Sequence, residues 1–418
     1  MATVPAAAEV GTVQAGMVER LLLLADDFTG ACDAAAPFAA IGETLVLLHA
    51  DPAAAAQAVV TALDLDLRER ADEQARAATE LAARQYHQAA SALERAATSQ
   101  PPPVSRTFLK IDSTLRGPIA GLLDGALQGT GAPLAILAPA FPEQGRLLEA
   151  GRLVLDGQPG PSLSDALGLE RTAVLSASFA RSAADVEEAV EHARMRGARR
   201  IIVDADGPIC LASVAEAWQR HPEWLVVGSA GLARQVAAVS ASAVRPRAAA
   251  GGQGIGGGGG GAGGGGGGGG GGESGPILVV AGSPAAATRA QLVRLESAAR
   301  PTSAQVIVLA TPPTTGERDA GQAAQALAEI VAGWAAHARP RAVILVGGAT
   351  ARATCGRLGV AHVQLLGEHS PGVPVGRLSG GIWHGVTVVT RAGGFGGPET
   401  LLDVVHALGV SSTSDDDD

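Results

Sequence analysis

Residues Leu21–Asp33 read LLLLADDFTGACD. The four leucines form an apolar run with no helical stripe, which predicts a strand buried on both faces. The run stops at Asp26 and Asp27, so two carboxylates stand at the carboxyl end of that strand. In open α/β sheets this edge collects ligands, because strand ends and helix N-termini leave a crevice there. Thr29, Gly30 and the small residues after them let a helix begin at once. One aspartate is enough to cap such a helix. A second beside a buried strand costs repulsion and desolvation unless a cation, a proton or a substrate hydroxyl compensates it. Capping and ligand binding both stand as readings of the pair.

The composition suits tightly apposed helices and sheets. The 418 residues suffice for two or three domains, and 47% hydrophobic content supplies their cores. Aromatics are only 3%, so packing rests on Ala, Val and Leu. A net charge of −10 opposes nucleic acid and anionic membranes, so an anionic ligand needs a local cluster of cations or backbone N–H groups. Cys32, Cys210 and Cys355 lie far apart without a CxxC, which supports neither a zinc site nor a disulfide framework and suits a reducing cytosol. The first residues lack an apolar core of signal-peptide length, Glu9 and Glu19 oppose a transit peptide, and no run reaches membrane-spanning length. A cytoplasmic protein is expected. The chain has no asparagine, one tyrosine (Tyr86) and one lysine (Lys110), against many arginines, alanines and glycines. That bias matches GC-rich codons. Arginine is the default cation here, and Lys110 calls for an explanation.

Taken outward from Leu21, strands are predicted over 43–48 and 58–63, the latter followed by Asp64, Asp66 and Arg68. Residues 69–99 have good helix propensity and many i,i+4 pairs, and Pro101–Pro103 end that solvated helix. Next, Thr107–Gly117 reads TFLKIDSTLRG: a strand over 108–111 runs into Lys110, Asp112, Ser113, Thr114 and Arg116. Such a cluster suits a small polyhydroxylated anion, with Arg116 gripping a carboxylate bidentately while the others sort hydroxyls. A solvated turn with an internal salt bridge is the alternative, and the singular Lys110 weighs against it. A strand over 135–138 leads into PAFPEQGR (Pro139–Arg146), whose Glu143 and Arg146 can face the same crevice. Further strands over 201–203 and 225–227 end in Asp204 with Asp206 and in GSAGLARQ (Gly228–Gln235). Residues 251–272 are almost wholly glycine, which predicts a flexible tether.

A second unit then begins. Strands over 276–280, 305–309, 342–346 and 385–389 are predicted, and three of them run into AGSPAAATRAQL, GGATARATCGRLG and TRAGGFGGPETL. Paired glycines let a backbone approach phosphate closely. None of these turns fits GxxxxGK[ST] or GxGxxG, so neither a P-loop nor a dinucleotide fold is indicated, yet three in one unit point to a phosphate-binding face. The closing SSTSDDDD is an acidic tail.

In series, ADDFTGACD, the strand-end D-x-D-x-R, KIDSTLRG, PAFPEQGR, VVGSAGLA, AGSPAAATRAQ, GGATA, SPGVPVG and TRAGGFGG closely resemble the four-carbon acid sugar kinase family over about residues 20–408. The resemblance implies two α/β domains with mainly parallel sheets and an active-site cleft between them. It divides the chain into an extension (1–19), a sugar-acid-binding domain (20–248), a Gly-rich linker (249–275), a nucleotide-binding domain (276–410) and the acidic tail (411–418). It implies ATP-dependent phosphorylation of a hydroxyl of threonate, erythronate or a 3-oxo-tetronate, in carbohydrate catabolism. Together with the residues it assigns Arg68 and Arg116 to the substrate carboxylate, and Lys110 and Asp112 to hydroxyls. Asp26, Thr29, Gly30 and Ser113 complete the substrate side, with Asp27 the preferred catalytic base. Ser283, Gly347, Gly348, Ala349, Thr350, Gly393, Gly394 and Gly396 would line the ATP site through backbone N–H groups. Mg²⁺ would arrive with ATP, held by phosphates and water, and no protein metal site is expected. The partners are the acid sugar and ATP, without nucleic acid or membrane, and homo-oligomerisation is left open.

Several positions depart from the family pattern. Cys32 stands where Asn is usual, Leu65 and Leu67 replace hydroxyl residues, Ala349 replaces an acidic one, and Arg391–Ala392 replace Lys-Ser. Cys32 and Arg391 fit the codon bias, whereas the other losses of polarity could alter substrate choice or nucleotide binding. Two other function classes compete with a kinase: a catalytically silent sugar-acid-binding protein, and an NAD(P)-dependent oxidoreductase. The latter should carry an acidic residue about twenty positions past a GxGxxG, and no such unit occurs.

Overall fold

The apolar runs become strands of one sheet. The computed structural model describes residues 20–49, 51, 58–96, 106–168, 170–244, 275–298, 305–312 and 320–409. The expected extension, the proline stop, the glycine tract and the acidic tail lie outside them. In the first unit the strands are β1 (Leu21–Ala25), β2 (Thr44–Leu47), β3 (Val60–Asp64), β4 (Arg106–Lys110), β5 (Ala135–Ala138), β6 (Arg146–Glu149), β7 (Arg152–Leu155), β8 (Gln158–Ser162), β9 (Thr172–Leu175), β10 (Arg200–Val203) and β11 (Leu225–Gly228). The second unit adds β12 (Ile277–Ala281), β13 (Val306–Ala310), β14 (Ala342–Val346), β15 (His362–Ser370), β16 (Val373–Ser379) and β17 (Thr387–Arg391).

The main sheet has 14 strands in the order β13-β12-β14-β17-β16-β15-β2-β3-β1-β4-β11-β5-β10-β9. From β2 to β9 every pairing is parallel, and so are those among β13, β12, β14 and β17. The mainly parallel α/β class therefore holds, with one refinement: β15 pairs antiparallel with β2, so the sheets of the two units are joined edge to edge. Because β15, β16 and β17 alternate in direction, the parallel strands of the second unit run opposite to those of the first along the ladder. Strand twist resolves this. Over the six ladder steps from β1 to β14 it accumulates to about 120–150°, which turns the two carboxyl edges toward each other.

The helix Phe28–Ala35 fills the space between them, and all its residues are buried. It packs against β1 and β3 of the first unit and against β16, β17 and the helix Gly348–Arg357 of the second. Two features escape the periodicity reading. The small antiparallel sheet β6-β7-β8 includes a strand with two prolines and a glycine, Gln158–Ser162, which reads as a turn. The β15–β16 hairpin carries half-exposed polar residues such as Glu368 and His369 that break the apolar run.

Candidate active site

At the end of β1 the carboxylate pair divides its labour. Asp27 caps the helix Phe28–Ala35, accepting the Gly30 N–H and the Thr29 hydroxyl, each at 2.9 Å. Asp26 is buried, and Arg68 grips both its oxygens, Nε to Oδ2 at 2.7 Å and Nη2 to Oδ1 at 2.8 Å. Arg68 also donates to Asp27 at 2.9 Å and stands 3.5 Å from Asp112. Burial raises the Asp26 pKa against the pull of Arg68. For Arg68, burial works downward, but Asp27, Asp26 and Asp112 together carry its pKa above the ordinary value.

The KIDSTLRG turn closes in the same way. Arg116 forks onto Asp112 with two bonds of 2.9 Å, and Asp112 also accepts the Thr114 N–H at 3.1 Å and the Thr114 hydroxyl. Burial alone would raise Asp112, but Arg116 and Arg68 hold its carboxyl well below the usual range. Both arginines expected to grip a substrate carboxylate are thus engaged with carboxylates of the chain itself. Lys110 is buried with its ammonium donating to the Ile111 carbonyl at 2.9 Å, and Ser113 accepts from Arg146.

The strand-end D-x-D-x-R splits between the units. Arg68 turns to the first helix, whereas Asp64 and Asp66 pair with Arg352 of the helix Gly348–Arg357, Asp66 at 3.1 Å. Burial pushes the Asp64 carboxyl up to about 7, with Arg352 working against it. Leu65 and Leu67, which stand for hydroxyl residues, pack on the apolar core.

The second unit brings its turns together through backbone. Gly393 lies against Ser283 so closely that a Cβ there would collide with the Ser283 hydroxyl. Carbonyls of the Gly393–Gly396 loop are held from below: Thr288 donates to Gly393 at 2.8 Å, and the Gln291 amide to Phe395 at 3.1 Å and Gly396 at 3.2 Å. Arg391 is almost fully buried and donates to the Gln291 side chain and, at 2.5 Å, to the Phe395 carbonyl. Burial pushes its guanidinium down to about 10. Codon bias therefore does not account for this arginine, because its fork spans two acceptors. Thr288 and Gln291 were missed, although their i,i+3 spacing after AGSP was the available signal.

The two edges touch at one point. A Cβ on Gly348 would stand 2.5 Å from Asp27 Oδ2 and 3.1 Å from the Thr29 hydroxyl, so only glycine admits that carboxylate to the start of the helix Gly348–Arg357. Ala349 is exposed and Thr350 buried in its first turn. A cleft of about 630 Å³ has Thr114, Glu143, Gln144, Arg146 and Asp156 of the first unit and Gly394, Gly396 and Gly397 of the second in its lining. Phe141 and Phe395 meet edge to face at 6.0 Å across the two units. Asp33, on the first helix, was not singled out from the sequence. Its Oδ1 is buried without a hydrogen-bond partner, 3.9 Å from Arg234, which itself forks onto Glu368 of β15. Burial pushes Asp33 up to about 7. Among the described residues no group of three or more His, Cys, Asp or Glu is disposed to hold a metal ion, and no helix is long and apolar enough to cross a membrane.

Comparison with known proteins locates both halves. A family model described as a sugar-binding N-terminal domain matches residues 21–166, and one described as a nucleotide-binding C-terminal domain matches 310–401. The chain is 30% identical to a D-threonate kinase of Cupriavidus necator, over 93% of this chain and 97% of that protein. It is 28% identical to a 3-oxo-tetronate kinase of Burkholderia multivorans, over 93% and 86%. Solved structures from Salmonella typhimurium (TM-score 0.65) and Haemophilus influenzae (TM-score 0.60), each 19% identical, cover 92% and 93% of this chain and 98% of their own, and share its fold.

Proposed function

Because this chain belongs to the four-carbon acid sugar kinase family, we propose that it transfers a phosphoryl group from ATP to a hydroxyl of threonate or of a 3-oxo-tetronate. The observation that carries the reading is the contact of the two edges, Asp27 against Gly348: a carboxylate-rich strand end meets a glycine turn where the segment matched as sugar-binding touches the segment matched as nucleotide-binding. In this reading the chain divides into units over 20–248 and 276–410, and one of the matched segments, 21–166 and 310–401, lies within each.

The chemistry asks for in-line placement, charge neutralisation and a proton acceptor. Asp27 sits at the junction and would accept the proton of the attacking hydroxyl, its orientation fixed by Arg68, Thr29 and Gly30. Lys110, Asp112 and Ser113 would sort the other hydroxyls. The close approach of Gly393 to Ser283 and the underside bonds from Thr288, Gln291 and Arg391 fit a loop shaped for phosphate, so Ser283, Gly347 to Thr350 and Gly393 to Gly396 would hold the nucleotide. ATP supplies the phosphoryl group, and Mg²⁺ carried on its phosphates supplies counter-charge. Three free, buried cysteines accord with a reducing cytoplasm.

The test is ADP release by purified protein with ATP and Mg²⁺ against D- and L-threonate, D- and L-erythronate and 3-oxo-tetronate, with erythritol as the neutral control. Turnover of at least one acid and none of erythritol is expected. Equal turnover of erythronate and erythritol would sink the assignment, and tight binding of an acid without ADP release would favour a silent binding protein.

A further inference from the structure

Arg146 opens β6 and lines the cleft from the side of the first unit. Its guanidinium differs from the others around it in what balances it. Arg68 and Arg116 are forked onto Asp26 and Asp112, Arg234 onto Glu368, and Arg352 onto Asp64 with Asp66. Buried Arg391 is taken up by Gln291 and loop carbonyls. Arg146 is half-buried, yet among the described residues its guanidinium has no carboxylate within ion-pair distance, and its one hydrogen bond goes to the Ser113 hydroxyl. Asp112, Asp33 and Asp156 act on it only through space. Burial accordingly pulls its pKa below the ordinary value.

A half-buried guanidinium without a counter-ion costs free energy that an incoming anion returns. The same anion at Arg68 or Arg116 would first have to displace a bidentate pair. The setting also leaves donors available. The Arg146 guanidinium lies over the Phe395 ring, 4.8 Å from its centroid, and stacking occupies the face of a guanidinium while its N–H edges stay free. Phe395 belongs to the glycine loop of the second unit, so this cation stands where both ligands would meet. Glu143 and Asp156 line the same cleft and would accept hydrogen bonds from hydroxyls, while their charge leaves the Arg146 guanidinium as the group there that attracts an anion.

We infer that Arg146 is the oxyanion clamp of this cleft, and that it grips the single carboxylate of a polyhydroxy acid in place of Arg68 and Arg116. The inference rests on the acid sugar kinase reading and deepens it. An oxyanion at this position has two sources, the acid's carboxylate or the phosphoryl group in transfer, and steady-state kinetics separates them.

Arg146→Ala and Arg146→Lys would be assayed with D-threonate and ATP, with melting temperatures as the folding control. We expect the acid's KM to rise about a hundredfold or more in Arg146→Ala, with KM for ATP within about threefold of the parent. Arg146→Lys should recover part of the loss, and added guanidinium ion should rescue Arg146→Ala. A fall in kcat with unchanged acid KM and a raised ATP KM would assign the clamp to the phosphoryl group and overturn the carboxylate role. Parent-like constants in both variants would overturn the clamp altogether. Isothermal titration of parent and Arg146→Ala with D-threonate, and separately with inorganic phosphate, reads the same question without turnover. If the parent phosphorylates none of the acids, the kinase reading falls, while loss of D-threonate binding in Arg146→Ala still upholds the clamp and equal binding still removes it.

Discussion

The two carboxyl edges of this sheet are built from opposite materials. On the first, Asp26, Asp27, Arg68, Asp112 and Arg116 form a connected set of ion pairs in which side chains supply most of the polar groups. On the second, the polar groups are mostly backbone, and Thr288, Gln291 and Arg391 hold the loop carbonyls from beneath. The contrast matches what each edge would recognise. Hydroxyls and a carboxylate on a small acid differ from one compound to the next, and selecting among them takes side chains of defined geometry. Phosphate is the same in every nucleotide, and N–H groups on a tightly turned backbone suffice.

The sharpest way to break this contrast is a reciprocal pair of cation swaps. Lys110→Arg, on the side-chain edge, should lower kcat/KM for the preferred acid about a hundredfold, on the order of 2.7 kcal/mol, while leaving ATP affinity alone. The buried ammonium bonds the Ile111 carbonyl at 2.9 Å, and a wider guanidinium there would push into the substrate pocket. Arg391→Lys, on the backbone edge, should do the reverse, raising KM for ATP about tenfold with the acid's KM unchanged, because one ammonium cannot span Gln291 and the Phe395 carbonyl. If both swaps move the same constant, the edges are not specialised.

The sequence revealed the first edge better than the second, and the reason is chemical. Leu21–Ala25 running into paired aspartates, or Lys110 and Asp112 at a strand end, are unusual juxtapositions that ask for compensation, and the strands themselves are apolar runs bounded by breakers. What the sequence does not disclose is which charge compensates which. The pairing of Arg68 with Asp26 is not legible in the sequence, because it spans 42 residues and depends on β1 and β3 lying side by side, whereas Arg116 with Asp112 is the local salt bridge that the turn itself allows. The glycine turns read as phosphate-binding only in aggregate, and Arg391 reads as codon noise until its fork is seen. The β2–β15 seam, and with it Arg352 over Asp64, depends on a hairpin that polar residues disguise.

That seam offers the next test, since it decides whether the edges keep their alignment. Arg352→Ala leaves the carboxylate of Asp64 buried without its partner. Removing one member of a buried pair is strongly destabilising, but burial already raises Asp64 to about 7 against the pull of Arg352, so without that arginine the carboxyl takes up a proton near neutral pH at small cost, which lessens the loss. We expect about 2 kcal/mol in urea denaturation at pH 8, and most of it regained in the double variant Arg352→Met with Asp64→Leu. No loss on Arg352→Ala would mean that the ladder alone, β2 with β15, aligns the units.

The smallest expected effect concerns Asp33, which belongs to neither edge. It lies between Arg234 of the first unit and the β15–β16 hairpin of the second, with Lys110, Glu368 and Asp27 also acting on it. Burial raises its pKa from 3.8 to about 7. A carboxyl that holds its proton more tightly when folded contributes stability in full below 3.8, and that contribution is lost as pH rises through about 7. The full shift overstates the effect, because the folded chain relaxes around the new charge and Arg234 takes part of it. We expect stability to fall by about 1 kcal/mol more between pH 5 and pH 7 in the parent than in Asp33→Asn, read from melting temperatures in matched buffers. Asp64 titrates in the same window and stays in both proteins, so it drops out of the difference. Parallel pH profiles would show Asp33 ionised throughout and paired with Arg234, which would make it part of the charged set that distinguishes the first edge.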